Sequence, residues 1–202
     1  MGNAFKKLGH EVNALPLLGN GENYLKSGLN VLGKTKSFST GGMGYTSLKG
    51  RMLELIQGQM IYLIKRIYLL LMIASKYDLL VVVGDVIPVT VSWLTGLPVV
   101  TYLVAYSSHY EGSLKLPWPC ANCLSSDRFL KIYTRDILTA NDLKNRFLGK
   151  VEFVGNPFMD PFLTKQEIFS QQKKRLGILP GSRIPEVGSN LCLILRVIDY
   201  LS

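Results

Sequence analysis

One stretch of this sequence carries residue types arranged to hold an anion: Gly177-Ile-Leu-Pro-Gly-Ser-Arg-Ile-Pro-Glu186. The apolar run Leu176–Leu179 predicts a strand, Pro180-Gly-Ser-Arg183 a turn, and the residues from Glu186 to the last residue a helix. A strand that passes through a glycine turn into a helix presents free N–H groups and the positive helix end to an anion. Gly181 permits close backbone approach, Ser182 offers a hydroxyl donor, and Arg183 offers a planar fork for phosphate oxygens. The same residues also suit a purely structural turn. A second glycine cluster, Ser39-Thr-Gly-Gly-Met-Gly44, has the spacing to cradle a phosphate but lacks the Gly-Lys-Ser/Thr ending of a P-loop. It reads better as a loop. Cys120-Ala-Asn-Cys123 has C-x-x-C spacing, yet no second ligand pair exists for a zinc site. The preceding Lys115-Leu-Pro-Trp-Pro119 reads as loop, so a redox pair opening a helix is not expected, and the cysteines read as incidental.

The elements that must position these residues follow from periodicity. Asn3–Leu8 with Gly9 reads as the last turns of a helix, and Glu11–Leu18 as a strand. Leu48–Lys76 reads as a long helix whose second half, Ile67–Ala74, is apolar on all sides, which predicts burial or contact with lipid. Tyr77–Val83 is a Val-rich run suited to a parallel strand covered on both faces. A helix over Val86–Thr95 and a strand over Val99–Val104 complete a βαβ rhythm. Tyr106–Asp127 reads as an irregular, partner-facing loop containing His109 and Trp118. Further strands are expected at Phe129–Tyr133 and Val151–Val154, around a helix at Asn141–Phe147. Lys165–Arg175 is polar and basic and reads as a linker or surface helix.

The composition excludes disorder: 48% of the 202 residues are hydrophobic and only 18% charged. The net charge of +9 is uneven, because residues 1–76 hold ten basic residues against three acids. A basic, apolar N-terminal third suits an anionic membrane surface, although a merely solvated basic face has the same composition. No aromatic–basic signature or zinc-finger spacing points to nucleic acid. Lys65-Arg66 interrupts one long apolar run, and Asp85, Pro88 and Gly96-Leu-Pro98 interrupt the other, so neither reads as a membrane span. No leader is visible, and three cysteines fit a reducing compartment.

Three motifs together resemble the lipid-A-disaccharide synthase family. Ile178-Leu-Pro-Gly-Ser-Arg-Ile-Pro-Glu186 resembles its LLPGSR-x-x-E motif. Val154-Gly-Asn-Pro-Phe-Met-Asp160 resembles its VG-H/N-P-x-x-D domain-junction motif, and Asp78–Pro88 resembles its strand ending in Asp and Pro. The Lys- and Gly-rich stretch from Gly33 to Tyr45 is most similar to the divergent, cyanobacterial-type "lipid-A-disaccharide synthase-related" branch.

The resemblance covers about the first half of a family member and implies a chain truncated at both ends. The implied fold is α/β of GT-B type. Residues 1–160 would form a Rossmann-like acceptor-side domain without its first strand and glycine-rich turn, 161–175 a linker, and 176–202 the start of a nucleotide-sugar-binding domain. The implied activity is metal-independent, cofactor-free, inverting transfer of an acylated glucosamine or related sugar from a UDP-sugar to a lipid-linked sugar acceptor. It would act at the cytoplasmic face of an anionic membrane, without nucleic acid. Asp85, at a strand's carboxyl end, is then the candidate general base, its other reading being a helix N-cap. Gly181, Ser182, Arg183 and Glu186 would hold the UDP phosphates, and Asn156-Pro157 would shape the domain junction or simply form a turn. Asp85 is followed by Val-Ile-Pro where the family more often has Ala-Pro-Asp. A non-enzymatic, membrane-associated remnant and a different GT-B enzyme are the alternative readings.

Overall fold

A computed structural model of the chain describes residues 2–19, 21–36, 38, 58–84, 86–147, 149–159, 176–181 and 186–201. It is a mixed α/β structure with parallel sheets. The N-terminal helix α1 (Gly2–Lys7) ends at Gly9, whose φ of 89° is open to glycine. Strand β1 (Asn13–Ala14), helix α2 (Glu22–Lys26) and strand β2 (Asn30–Val31) form a small parallel βαβ unit, with Asn13 opposite Asn30 and Ala14 opposite Val31. The expected strand over Glu11–Leu18 is thus only two residues long. Pro16 has no N–H for a longer ladder.

Helix α3 (Gln59–Ile73) follows, continued by a 3-10 turn at Ala74–Lys76. It accounts for the second half of the helix expected over Leu48–Lys76; residues 48–57, like the glycine cluster at 39–44, lie outside the described residues. A cation fastens α3 to the small unit. Arg66 is 3% exposed and donates from Nε to the Pro16 carbonyl at 2.9 Å and from Nη1 to the Leu32 carbonyl at 2.7 Å. Gly33 (φ 70°) makes room for it, since a Cβ there would lie 2.7 Å from Arg66 Nη1. The other side of α3 is apolar and open. Met60, Ile61, Ile64, Tyr68, Leu71 and Met72 are all exposed and share a sector of about 120° at 100° per residue. The apolar half of this helix therefore divides, with Leu70 and Ala74 buried and Tyr68, Leu71 and Met72 on the surface stripe.

The main sheet holds β3 (Leu80–Val83), β4 (Val99–Tyr102), β5 (Phe129–Tyr133) and β6 (Val151–Glu152), all parallel and in sequence order. Helix α4 (Val86–Leu94) joins the first two strands; α5 (Ser108–Glu111) and α6 (Cys120–Ser125) lie between β4 and β5; α7 (Ile137–Lys144) leads to β6. Strands added on one side by right-handed crossovers place their helices on one face. Accordingly Val82, Ile132 and Val151 share a single core with Val89 of α4, Cys120 and Leu124 of α6, and Leu143 of α7. On the other face Val81 and Val83 are 41% and 44% exposed, and Lys131 pairs with Glu152. The expected two-sided burial of β3 is not seen among the described residues. Three connections running one way cover one face only.

Two further expectations change. The segment Tyr106–Asp127 is not wholly irregular, because Cys120 opens α6, with the Pro119 carbonyl accepting from Cys123 N at 3.0 Å. Proline just ahead of a helix costs nothing there, since its missing N–H would be unpaired anyway. The helix expected at Asn141–Phe147 begins earlier, at Ile137, where Asp136 caps it. Residues 176–181 form no strand, because no described neighbour offers them a ladder; α8 (Glu186–Leu201) does form. Among the described residues no helix is long and apolar enough to cross a membrane.

Candidate functional site

Open parallel sheets collect their chemistry outside the carboxyl ends of the strands, and here those ends are knit together by side chains. Strand β3 ends at Val83, and Gly84 N then donates to the Tyr102 carbonyl at 3.1 Å. Gly84 has φ 146°, and a Cβ on it would lie 2.7 Å from Pro88 Cγ in the first turn of α4. A side chain at this position is therefore doubly disfavoured. Asp85 itself, between Gly84 and the start of α4 at Val86, lies outside the described residues.

Tyr102 ends β4 and is 4% exposed. Its hydroxyl donates to Asn156 Oδ1 at 3.4 Å, and its ring meets Phe158 edge-on at a centroid distance of 6.0 Å. Asn156 Oδ1 also accepts from Phe158 N at 3.1 Å, and its carbonyl accepts from Met159 N at 2.9 Å. The segment after β6 is thereby bent back over the end of β4, with Pro157 inside the turn. Burial raises the pKa of the Tyr102 phenol; Arg135 opposes this and Asp136 adds to it. The phenol stays a donor.

At the end of β5, Asp136 is the N-cap of α7. Its Oδ1 accepts from Thr139 N at 2.8 Å and its Oδ2 from the Ser107 hydroxyl at 2.8 Å. Burial works against ionisation of Asp136, but the Thr139 N–H, the Ser107 and Thr139 hydroxyls and the Arg135 guanidinium outweigh it. The net pKa lies below the ordinary carboxylate value. Arg135 Nη1 in turn donates to the Val104 carbonyl at 3.3 Å, and Ser108 N donates to Thr139 Oγ1 at 2.9 Å. The loop after β4 is thus tied to α7 at several points. Nothing in the sequence singled out Tyr102, Ser107, Arg135 or Asp136. The one available signal was Asp136 followed three residues later by Thr139, a capping spacing.

The turn in the Gly177–Glu186 stretch is described only in part. Gly181 has φ 107°, and the neighbouring Pro180 carbonyl accepts from Asn190 Nδ2 of α8 at 2.9 Å. Asn190 holds the turn against the start of the helix. Ser182 and Arg183 lie outside the described residues; Glu186 opens α8, with its side chain likewise outside them. Leu176, Gly177 and Ile178 line an apolar groove of about 500 Å³ with Leu193, Ile194, Val197 and Ile198 of α8.

Cys120 is 0% and Cys123 5% exposed, neither is in a disulfide, and both pack in the core beneath β3–β6. Burial raises the pKa of the Cys123 thiol, with a hydrogen bond from Thr90 acting the other way. Among the described residues no group of three His, Cys, Asp or Glu is placed to hold a metal ion. Comparisons of the chain with protein-family models, with curated proteins and with solved structures found no match.

Proposed function

We propose that this chain carries the acceptor-side domain and the opening unit of the nucleotide-sugar domain of an inverting, metal-independent glycosyltransferase of GT-B type. The observation that carries the reading is the Tyr102–Asn156 closure. It sets Val154–Met159, the described part of the Val154–Asp160 motif, on the carboxyl edge of a parallel sheet, one strand from Gly84 and the start of α4. Two motifs distant in sequence thus share the edge where α/β sheets bind ligands.

In this reading the acceptor hydroxyl oxygen attacks the anomeric carbon of a UDP-linked acylated glucosamine. The bond to UDP breaks with its electron pair leaving on the phosphate oxygen. The hydroxyl proton passes to the Asp85 carboxylate. Arg183, the Ser182 hydroxyl and the Gly181 N–H neutralise the departing phosphates, which is electrostatic work that a positioned cation performs without a metal. Glu186 opens the helix whose positive end faces them.

Titration with UDP tests the corner. Binding is expected, weakened about tenfold or more in Arg183→Ala; equal affinity in the variant removes Arg183 from the site.

A second reading, a membrane-associated binding module, is favoured by the open apolar stripe on α3 beside a surplus of basic residues in the N-terminal third. Both readings place the protein on the inner, anionic face of a membrane, with a lipid-linked acceptor or lipid as partner. Co-sedimentation with phosphatidylglycerol vesicles tests that placement. Binding is expected with wild type and is lost in Ile64→Glu/Tyr68→Glu; equal binding by the variant contradicts a role for the stripe.

A further inference from the structure

We propose that the loop carrying Lys115 and Trp118, between β4 and α6, is a membrane anchor that seats its indole in the headgroup region of an anionic bilayer. The proposal rests on the membrane placement argued above and adds a contact separate from the α3 stripe. Trp118 is 80% exposed. Tryptophan is on average a well-buried residue, so a ring left in water points to a surface outside the fold.

The loop itself holds the ring outward. Leu114 is 0% exposed, Leu116 packs against the core, and Cys120 is again 0% exposed. Leu114 N donates to Asp142 Oδ2 at 2.6 Å, and the Leu114 carbonyl accepts from Arg146 Nη1 at 2.5 Å. On the other side, the Pro117 carbonyl accepts from Ala121 N at 3.4 Å and the Pro119 carbonyl from Cys123 N at 3.0 Å. Trp118 thus stands between two inward anchors, and Pro117 and Pro119 restrict φ on either side of it.

Charge and area select the occupant. Residues 112–126 contain no Asp or Glu. Lys115 is exposed on the same loop, and the Arg146 guanidinium is fastened to it at Leu114. Asp142, which reaches the loop from α7, already accepts from Leu114 N and the Ser108 hydroxyl. A stable protein partner needs about 800 Å² on each side, with an apolar centre. Among the described side chains of residues 95–129, Trp118 is the only large hydrophobic one that is exposed. A single indole beside cations suits a bilayer instead. Indole settles at headgroup level, basic residues are drawn to anionic lipid, and neither needs a shaped partner surface.

The chain has two tryptophans, and the other, Trp93, packs against the core with the Arg128 guanidinium carbon 5.3 Å from its ring centroid. Indole fluorescence therefore separates an outward ring from an inward one. The test titrates the protein with phosphatidylglycerol vesicles, plain and with acyl chains brominated near the headgroup, while co-sedimentation reports binding. A blue shift and quenching by the brominated lipid are expected in wild type, and both are lost in Trp118→Phe. Trp118→Ala is expected to weaken binding about tenfold or more, and Lys115→Ala about fivefold. Phosphatidylcholine vesicles are expected to bind more weakly than phosphatidylglycerol. Both side chains are exposed, so these substitutions leave the fold intact. Vesicle binding without blue shift or quenching, or with full affinity in Trp118→Ala, overturns the loop anchor and leaves the membrane placement standing. No vesicle binding by wild type overturns both.

Discussion

The hydroxyl of Tyr102 donates to Asn156 across 3.4 Å, joining the last residue of β4 to the turn that follows β6. The contact spans 54 residues of sequence and closes the carboxyl edge of the sheet on one side. Asn156 thereby acquires a physical role, since its side chain accepts from Tyr102 and from its own turn at once.

Tyr102→Phe keeps the ring against Phe158 and removes only the hydroxyl. A loss of about 0.5–1 kcal/mol is expected, as for an ordinary neutral hydrogen bond, seen as a lower urea midpoint with an unchanged slope. A larger loss, together with a changed slope, would mean that the hydroxyl organises more than this turn.

Asp136 makes part of the stability pH-dependent. Its folded pKa is below the ordinary 3.8, so the unfolded chain binds the proton more readily. Its contribution is fully present above that ordinary value and is lost as pH falls through the lower folded value. Asp136→Asn keeps a capping side chain and is expected to flatten this part of the acid-unfolding curve. Asp136→Ala also loses the cap, at about 1 kcal/mol near neutral pH. An acid limb identical in wild type and Asp136→Asn would contradict the assignment.

The thiols sort by burial. Cys192 is exposed on α8, whereas Cys120 and Cys123 are core residues and burial holds the Cys123 thiol protonated. Ellman's reagent is expected to modify one thiol rapidly in the native protein and all three in urea, with the rapid phase absent from Cys192→Ser. Rapid native reaction of two or more thiols would show the core to be open.

Much of the sheet was legible because β-branched runs such as Val81-Val-Val83 and Val99-Val100 leave few alternatives to a buried parallel strand. Local pattern does not record which face a crossover covers. The exposure of Val81 and Val83 follows from three connections running the same way, a global property. Proline misled in one place, since Pro117 and Pro119 look like loop residues while Pro119 in fact precedes a helix. Leu176–Leu179 reads as a strand from its side chains, yet a strand exists only where a neighbour shares the ladder. Arg66 argued from sequence against a membrane span; its work as a clamp on Pro16 and Leu32 depends on contacts 50 and 34 residues away. Of the candidate site, Asn156 and Gly181 are set in defined turns. Asp85, Ser182 and Arg183 lie outside the described residues, and their roles rest on the proposal.

The most direct measurement is UDP release by the protein carrying this chain, supplied with a UDP-linked acylated glucosamine and a lipid-linked sugar acceptor, for wild type and Asp85→Asn. Sugar transfer with Asp85 as base predicts acceptor-dependent release by wild type and a fall in kcat of about a hundredfold or more in the variant, with little change in KM. Equal turnover by Asp85→Asn would remove Asp85 as the base, and no acceptor-dependent UDP release by wild type would contradict sugar transfer itself.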